Sequence, residues 1–386
     1  MKNNLPVIII AVLFLFLLNG CSKSSDSTGG GGVVPAVAAW TEVGGNNSLQ
    51  ANSTIDFVTS DATGNIYTAG NFKNVNTFRY VAKWNGTAWG ELGTGANSLN
   101  GYGGDIKAAI FDASGNLHVA GAISNAGNLR FVTKWNGTSW AELGTGANAL
   151  NASDYIFTLT RDAAGNIYAA GDFRNSNLKQ YVAKWNGIAW AELGTGANAL
   201  NGDTTIRTLI TNAAGNVFAA GHIKNAGGKY YVARWNGTSW AELGTGANAL
   251  NANGYISSLI IDAAGNIYAG GNFRNAAGKR YVAKWNGTAW AELGTGTNVL
   301  NANGYISALA IDAAGNIYAG GNFTNSKNFM YVAKWDGSTW TELGDASTLF
   351  VSGDINTLHA DASGNIYAAG AFYNHGGKFC VARYGN

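Results

Sequence analysis

Between Ile256 and Leu293 the apolar positions come in four short bursts separated by turn chemistry. Ile256–Ile261 is a short, partly β-branched run, and Asn266–Phe273 is a second run ending in small residues. The residues between them, Asp262-Ala263-Ala264-Gly265, suit a tight turn, because Asp bonds its own backbone and Gly supplies positive φ. Tyr281–Trp285 and Trp290–Leu293 are the third and fourth runs, joined through Asn286-Gly287, a strong hairpin signal. No stretch keeps a 3.6-residue period over a helical length, and the 55 glycines punctuate the chain every ten to fifteen residues. The pattern predicts a four-stranded antiparallel meander, with strands A, B, C and D in chain order.

That unit recurs about every fifty residues. Its A–B turn starts at Asp61, Asp112, Asp162, Asn212, Asp262, Asp312 and Asp361, making seven copies. The ends do not match a simple row. Trp40-Thr41-Glu42-Val43 reads as a D strand with no A, B or C before it, whereas Ile355–Asp361, Asn365–Phe372 and Phe379–Tyr384 read as A, B and C with no D after them. The copies balance only if the N-terminal strand completes the last one. An open solenoid would instead need capping ends. The expected fold is all-β: a seven-bladed β-propeller of four-stranded antiparallel blades, closed by the N-terminal strand. Side-chain size agrees with such a ring. Strand B ends in Ala-Gly-Gly or Ala-Ala-Gly in five of the seven units, while the C–D hairpins hold all 13 Trp residues, with Tyr384 in the fourteenth equivalent slot. These aromatics are read as core filling the wide part of each wedge rather than as sugar platforms.

Residues 1–20 differ in kind. Lys2 precedes an apolar run from Leu5 to Leu18 that is too short to span a bilayer and reads as an export signal. Residues 21–37 open with Cys21 and a Ser/Gly-rich stretch suited to a flexible tether, and residues 38–386 form the propeller. The only other cysteine, Cys380, leaves no disulfide framework, so packing must supply the stability. Charged residues are 12% of the chain and the net charge is +2, which gives no general attraction to nucleic acid.

Three resemblances follow from these residues. The D-x-x-G-N-[IV]-[YF] half of each unit looks like the bacterial seven-bladed β-propeller repeat family. The W-[ND]-G-x-x-W-x-E-L-G half is similar to Kelch-like and Rax2-like cortical-marker repeats. Leu18-Asn19-Gly20-Cys21 resembles the bacterial lipobox. The last implies removal of residues 1–20, lipidation of Cys21 and a membrane-anchored protein of the bacterial cell envelope, held at the outer membrane on its periplasmic or surface side. The repeat families are defined by framework positions and carry no catalytic residues to transfer.

Chemistry is therefore sought where the copies differ. The B–C and D–A connections share one face of the ring. The B–C segments hold twelve of the 24 basic residues, Arg174 and Lys229 among them, against the single acid Asp172. A second variable position follows the first Ile of each strand A: Asp56, Lys107, Phe157, Arg207, Ser257, Ser307 and Asn356. These residues are expected to ring one mouth of the central channel. Asp56, Lys107, Phe157, Arg207 and Asn356, with Arg174 and Lys229, are the candidate ligand-binding residues. Solvated loops and a wet channel lining are the plainer reading of both sets.

No metal site is expected, since His118, His222, His359 and His375 have no ligand-like spacing and one Asp per turn is too few for calcium. No catalytic residues or cofactor are expected either. The sequence points to a monomeric, non-catalytic binding scaffold for a glycan or an envelope protein. A glycan-active hydrolase or lyase at the channel mouth and a purely structural surface protein are the alternatives.

Overall fold

The structure is a computed structural model, and it describes residues 38–385 apart from 100–102, 201, 346–348 and 350–352. The expected export signal, Cys21 and the tether lie outside the described residues. Seven four-stranded antiparallel sheets make up the described chain, and six of them run in simple sequence order. The seventh is built from Ile355–Ala360, Ile366–Tyr373 and Phe379–Gly385, and its outer strand is the N-terminal Ala39–Glu42. Trp40 pairs with Tyr384 and Glu42 with Ala382 across that seam. The three-plus-one closure expected from strand counting is the observed one.

Blade 5 shows how the residues make the unit. Its strands are Ile256–Ile261, Ile267–Gly271, Ala283–Trp285 and Trp290–Glu292. At the A–B turn, Asp262 Oδ1 accepts the Asn266 backbone N–H at 2.8 Å. Its Oδ2 accepts Asn266 Nδ2 at 2.7 Å and the Tyr268 hydroxyl at 3.0 Å. Gly265 supplies the left-handed residue with φ +85°. The C–D connection is a four-residue loop rather than a two-residue turn, because Trp285 pairs directly with Trp290. Asn286 Oδ1 closes it by accepting the N–H groups of Thr288 and Ala289 at 3.0 Å each.

In blades 1 to 6 strands B and C are shorter than the hydrophobic runs suggest. The residues ahead of the observed strand C are claimed by the neighbouring connection. Arg280 exchanges both backbone hydrogen bonds with Ala302, in the loop that leads to blade 6, at 3.0 Å each. Arg280 also bridges Arg274 of its own blade, so this short pairing ties one blade to the next. Each D–A connection of blades 1 to 5, and the one following the N-terminal strand, also carries a three-residue 3-10 turn such as Gly296–Asn298.

The Trp residues form the outer seam. In all seven blades the strand-D indole Nε1 donates to the main-chain carbonyl that ends strand D of the preceding blade. The series includes Trp40 to Leu343 at 2.8 Å and Trp89 to Val43 at 3.1 Å, so it runs through the closure without a break. The glycine after that carbonyl has no alternative. A Cβ on Gly194 would stand 2.6 Å from the ring of Trp235 in the next blade. Burying an aromatic ring of 150–250 Å² stabilises by roughly 4–6 kcal/mol before conformational entropy is counted. Cys380 replaces the aromatic residue that precedes strand C in the other blades; it is fully buried, and burial raises its thiol pKa.

Candidate functional site

A cavity of about 460 Å³ opens at the mouth of the channel formed by the start of the seven A strands. It is lined by Asp56, Lys107, Phe157, Arg207, Ser257, Ser307 and Asn356, together with Tyr255 and Tyr305. The seven ring positions come together for a backbone reason. In every blade the register slips between the first Ile of strand A and the residue two further on, as between Ile156 and Thr158. The skipped residue, Phe157 in that blade, is the extra residue of a β-bulge, a device that re-aims a side chain at a barrel rim. The bulge in turn needs the last glycine of strand B. A Cβ on Gly171 would lie 2.0 Å from the Tyr155 carbonyl oxygen, and the other six equivalent glycines show the same approach at 2.0–2.4 Å. The preceding small residue has a separate task. On Gly270, a Cβ would meet Ile306 of the next blade at 2.8 Å.

Charge is unevenly distributed around this mouth. Lys107 Nζ lies 3.0 Å from Asp56 Oδ2 and 3.5 Å from Asp105 Oδ2, and Asp105 also holds Arg79 Nε at 2.7 Å. Two cations and two carboxylates thus neutralise one another beside blades 1 and 2. Burial raises the Asp56 pKa more than Lys107 lowers it. The opposite side has Arg207, exposed and with no carboxylate at ion-pair distance among the described residues. Its Nε donates to His222 Nε2 at 3.1 Å, and its guanidinium lies over the Phe157 ring at 5.4 Å. Burial, then the Arg207 charge, lowers the pKa of His222.

Aromatic rings flank that guanidinium. Phe157 stacks on Tyr155 at 5.6 Å and 16°, and His222 stacks on Tyr255 at 4.7 Å and 15°. The Tyr305 hydroxyl donates to Asp354, which also accepts Asn322 Nδ2. Asn356 Nδ2 donates to the Ile55 carbonyl at 3.3 Å. Arg174 and Lys229 are exposed in the B–C loops and do not line the cavity. Asp172, the lone acid of that loop set, accepts the Thr205 hydroxyl.

Sequence reading missed Tyr255 and Tyr305, which give blades 5 and 6 a substantial share of the lining. The available signal was the residue before the first Ile of strand A, which varies as Thr54, Asp105, Tyr155, Thr205, Tyr255, Tyr305 and Asp354. The four histidines stay apart. His118 takes the place of the turn tyrosine in blade 2 and meets Asp112 at 3.1 Å, while His359 meets the Ser60 hydroxyl at 2.7 Å. Among the described residues there is no cluster of three or more His, Cys, Asp or Glu placed to hold a metal.

No protein-family model matches the chain, and no curated protein matches its sequence. Solved structures match its fold. The extracellular domain assigned to a one component system from B. thetaiotaomicron superposes with a TM-score of 0.59 at 15% identity, over 90% of this chain. The match spans only 40% of that longer chain. YCF48 bound to D1 peptide gives 0.59 at 12% identity, covering 91% of this chain and 98% of its own. Virginiamycin B lyase from Staphylococcus aureus gives 0.59 at 9%, covering 91% and 100%. At these identities the likeness is one of propeller fold.

Proposed function

We propose that this protein is a non-catalytic binding propeller of the bacterial cell envelope, anchored through lipid on Cys21, with its ligand site at the bulged channel mouth. One observation carries the reading. The frame repeats nearly unchanged from blade to blade, while the seven bulge residues that converge on one cavity include five different side chains in blades 1 to 4 and 7. A solvated lining needs no bulge to re-aim it, and a structural filler needs no asymmetry. The exposed lysines and arginines of the B–C loops lie on the same face and favour an anionic partner. Among the propellers of similar fold, one is bound to a peptide and others are extracellular domains, which supports a scaffold that binds a protein or a glycan.

The test is to screen the full-length Cys21→Ser protein against glycan and envelope-protein arrays while following any product released. A ligand whose binding is lost with Phe157→Ala supports the reading. Turnover of that ligand would replace it with the enzyme alternative, and a ligand indifferent to every mouth substitution would place the site elsewhere.

A further inference from the structure

The mouth has two halves of different chemistry, and together they specify the occupant more closely than the fold does. On the side of blades 1 and 2, Lys107 is saturated by Asp56 and Asp105. It offers an incoming anion little, because binding there would first have to break an existing ion pair. On the other side Arg207 is held by one edge only. Its Nε is engaged with His222, and neither terminal guanidinium nitrogen has a partner among the described residues. That leaves two parallel N–H donors on a guanidinium braced against Phe157. Two such donors match the two oxygens of a carboxylate. A phosphate would call for a second free cation in the cavity lining; His222 is held toward its neutral form, and Lys224 lies outside the lining, over the Tyr230 ring.

Within the cavity lining, the neighbours of Arg207 are rings and neutral polar groups; Asp172 and Lys224 act on His222 from outside that lining. Phe157 and Tyr255 present aromatic surface, and Ser257 and Ser307 present hydroxyls, within a cavity of about 460 Å³. Cavities of that size hold one or two sugar-sized rings. We infer that the mouth binds a carboxylated saccharide of the uronic acid type, its carboxylate on the terminal nitrogens of Arg207 and the less polar face of its ring on the aromatic side chains. An acidic peptide side chain could satisfy Arg207 but has no ring to cover the aromatic faces. The inference rests on the reading of the mouth as the binding site.

Calorimetric titration of the full-length Cys21→Ser protein with trimers of galacturonate, glucuronate, mannuronate and guluronate, each beside its methyl ester, tests it. At least one free acid should bind, with its ester weaker. Arg207→Gln should lose about 10- to 100-fold in affinity, the worth of one well-formed charge-assisted contact. Lys107→Gln should lose less affinity than Arg207→Gln, since it removes no contact to the ligand and acts only by leaving Asp56 and Asp105 uncompensated. Unchanged melting of the exposed Arg207→Gln variant separates lost binding from lost fold. No binding by any trimer, equal binding of acid and ester, or an Arg207→Gln variant as tight as the parent overturns the inference. Binding of oligoglutamate with the same Arg207 dependence, without any uronate, would refute the saccharide while leaving the mouth as the site. If the ligand found by array ignores both Arg207→Gln and Phe157→Ala, the mouth itself is wrong.

Discussion

Removing the Trp40 side chain tests ring closure at its seam. Trp40 is 4% exposed, its indole donates to the Leu343 carbonyl at 2.8 Å, and its ring meets Tyr384 at 5.4 Å. Both contacts join residues some 300 or more positions apart in sequence, so they exist only if the N-terminal strand finishes the last blade. Trp40→Phe keeps most of the apolar contact but orphans the Leu343 carbonyl, at a cost of about 1–3 kcal/mol. Trp40→Ala also leaves a cavity, for about 3–5 kcal/mol in all. The propeller has about 350 residues. At about 2.1 cal/mol/K per residue its unfolding entropy near 60 °C is about 0.7 kcal/mol/K. The two variants should therefore melt about 1–4 °C and 4–7 °C below the parent. Differential scanning calorimetry reads both shifts. Trp190→Phe is the internal control, since Trp190 makes the same bond to Leu143 at 2.8 Å between blades adjacent in sequence. If Trp190→Phe lowers the melting temperature while Trp40→Ala leaves it within 1 °C of the parent, the N-terminal strand does not close the ring and the seam argument fails.

Three further outcomes can be measured. Gly171→Ala should cost more than about 2 kcal/mol in denaturant melts, because its Cβ would overlap the Tyr155 carbonyl, whereas Gly90→Ala, with nothing within 4 Å, should be close to neutral; equal effects would remove the bulge glycine from the account. Burial holds the His359 pKa near 4 against an ordinary 6.5, so the unfolded chain takes up the proton first. The stability contributed by the neutral ring is then complete above pH 6.5 and falls by about 3 kcal/mol as pH drops toward 4. His359→Gln should flatten that slope, and a parent-like slope in the variant would exonerate the histidine. Cys21→Ser should move the protein from the membrane fraction to the soluble one; retention in the membrane would mean that the apolar segment at residues 5–18 is itself the anchor.

The repeated architecture was legible in the chain because its causes are local. Asp262, Gly265 and Asn266 make their turn with one another, and a strand that packs one face alternates whatever lies beyond it. Even closure could be counted, since seven A, seven C and seven D strands admit one arrangement once Trp40-Thr41-Glu42-Val43 is recognised as the missing D. The variable residues after the first Ile of strand A could be placed at one mouth for the same reason. Their chemistry could not. Lys107 and Arg207 occupy equivalent positions and look alike as isolated cations. One is neutralised by Asp56, 51 residues away, and the other is left with two open donors, because charge pairing depends on which side chains the ring sets side by side. Nor does Gly171 advertise in sequence that it makes room for the bulge that turns Phe157 inward. A small residue there could equally serve blade packing, as Gly270 does against Ile306. Only the folded ring separates these roles, since they depend on which residues of different strands and blades are set side by side.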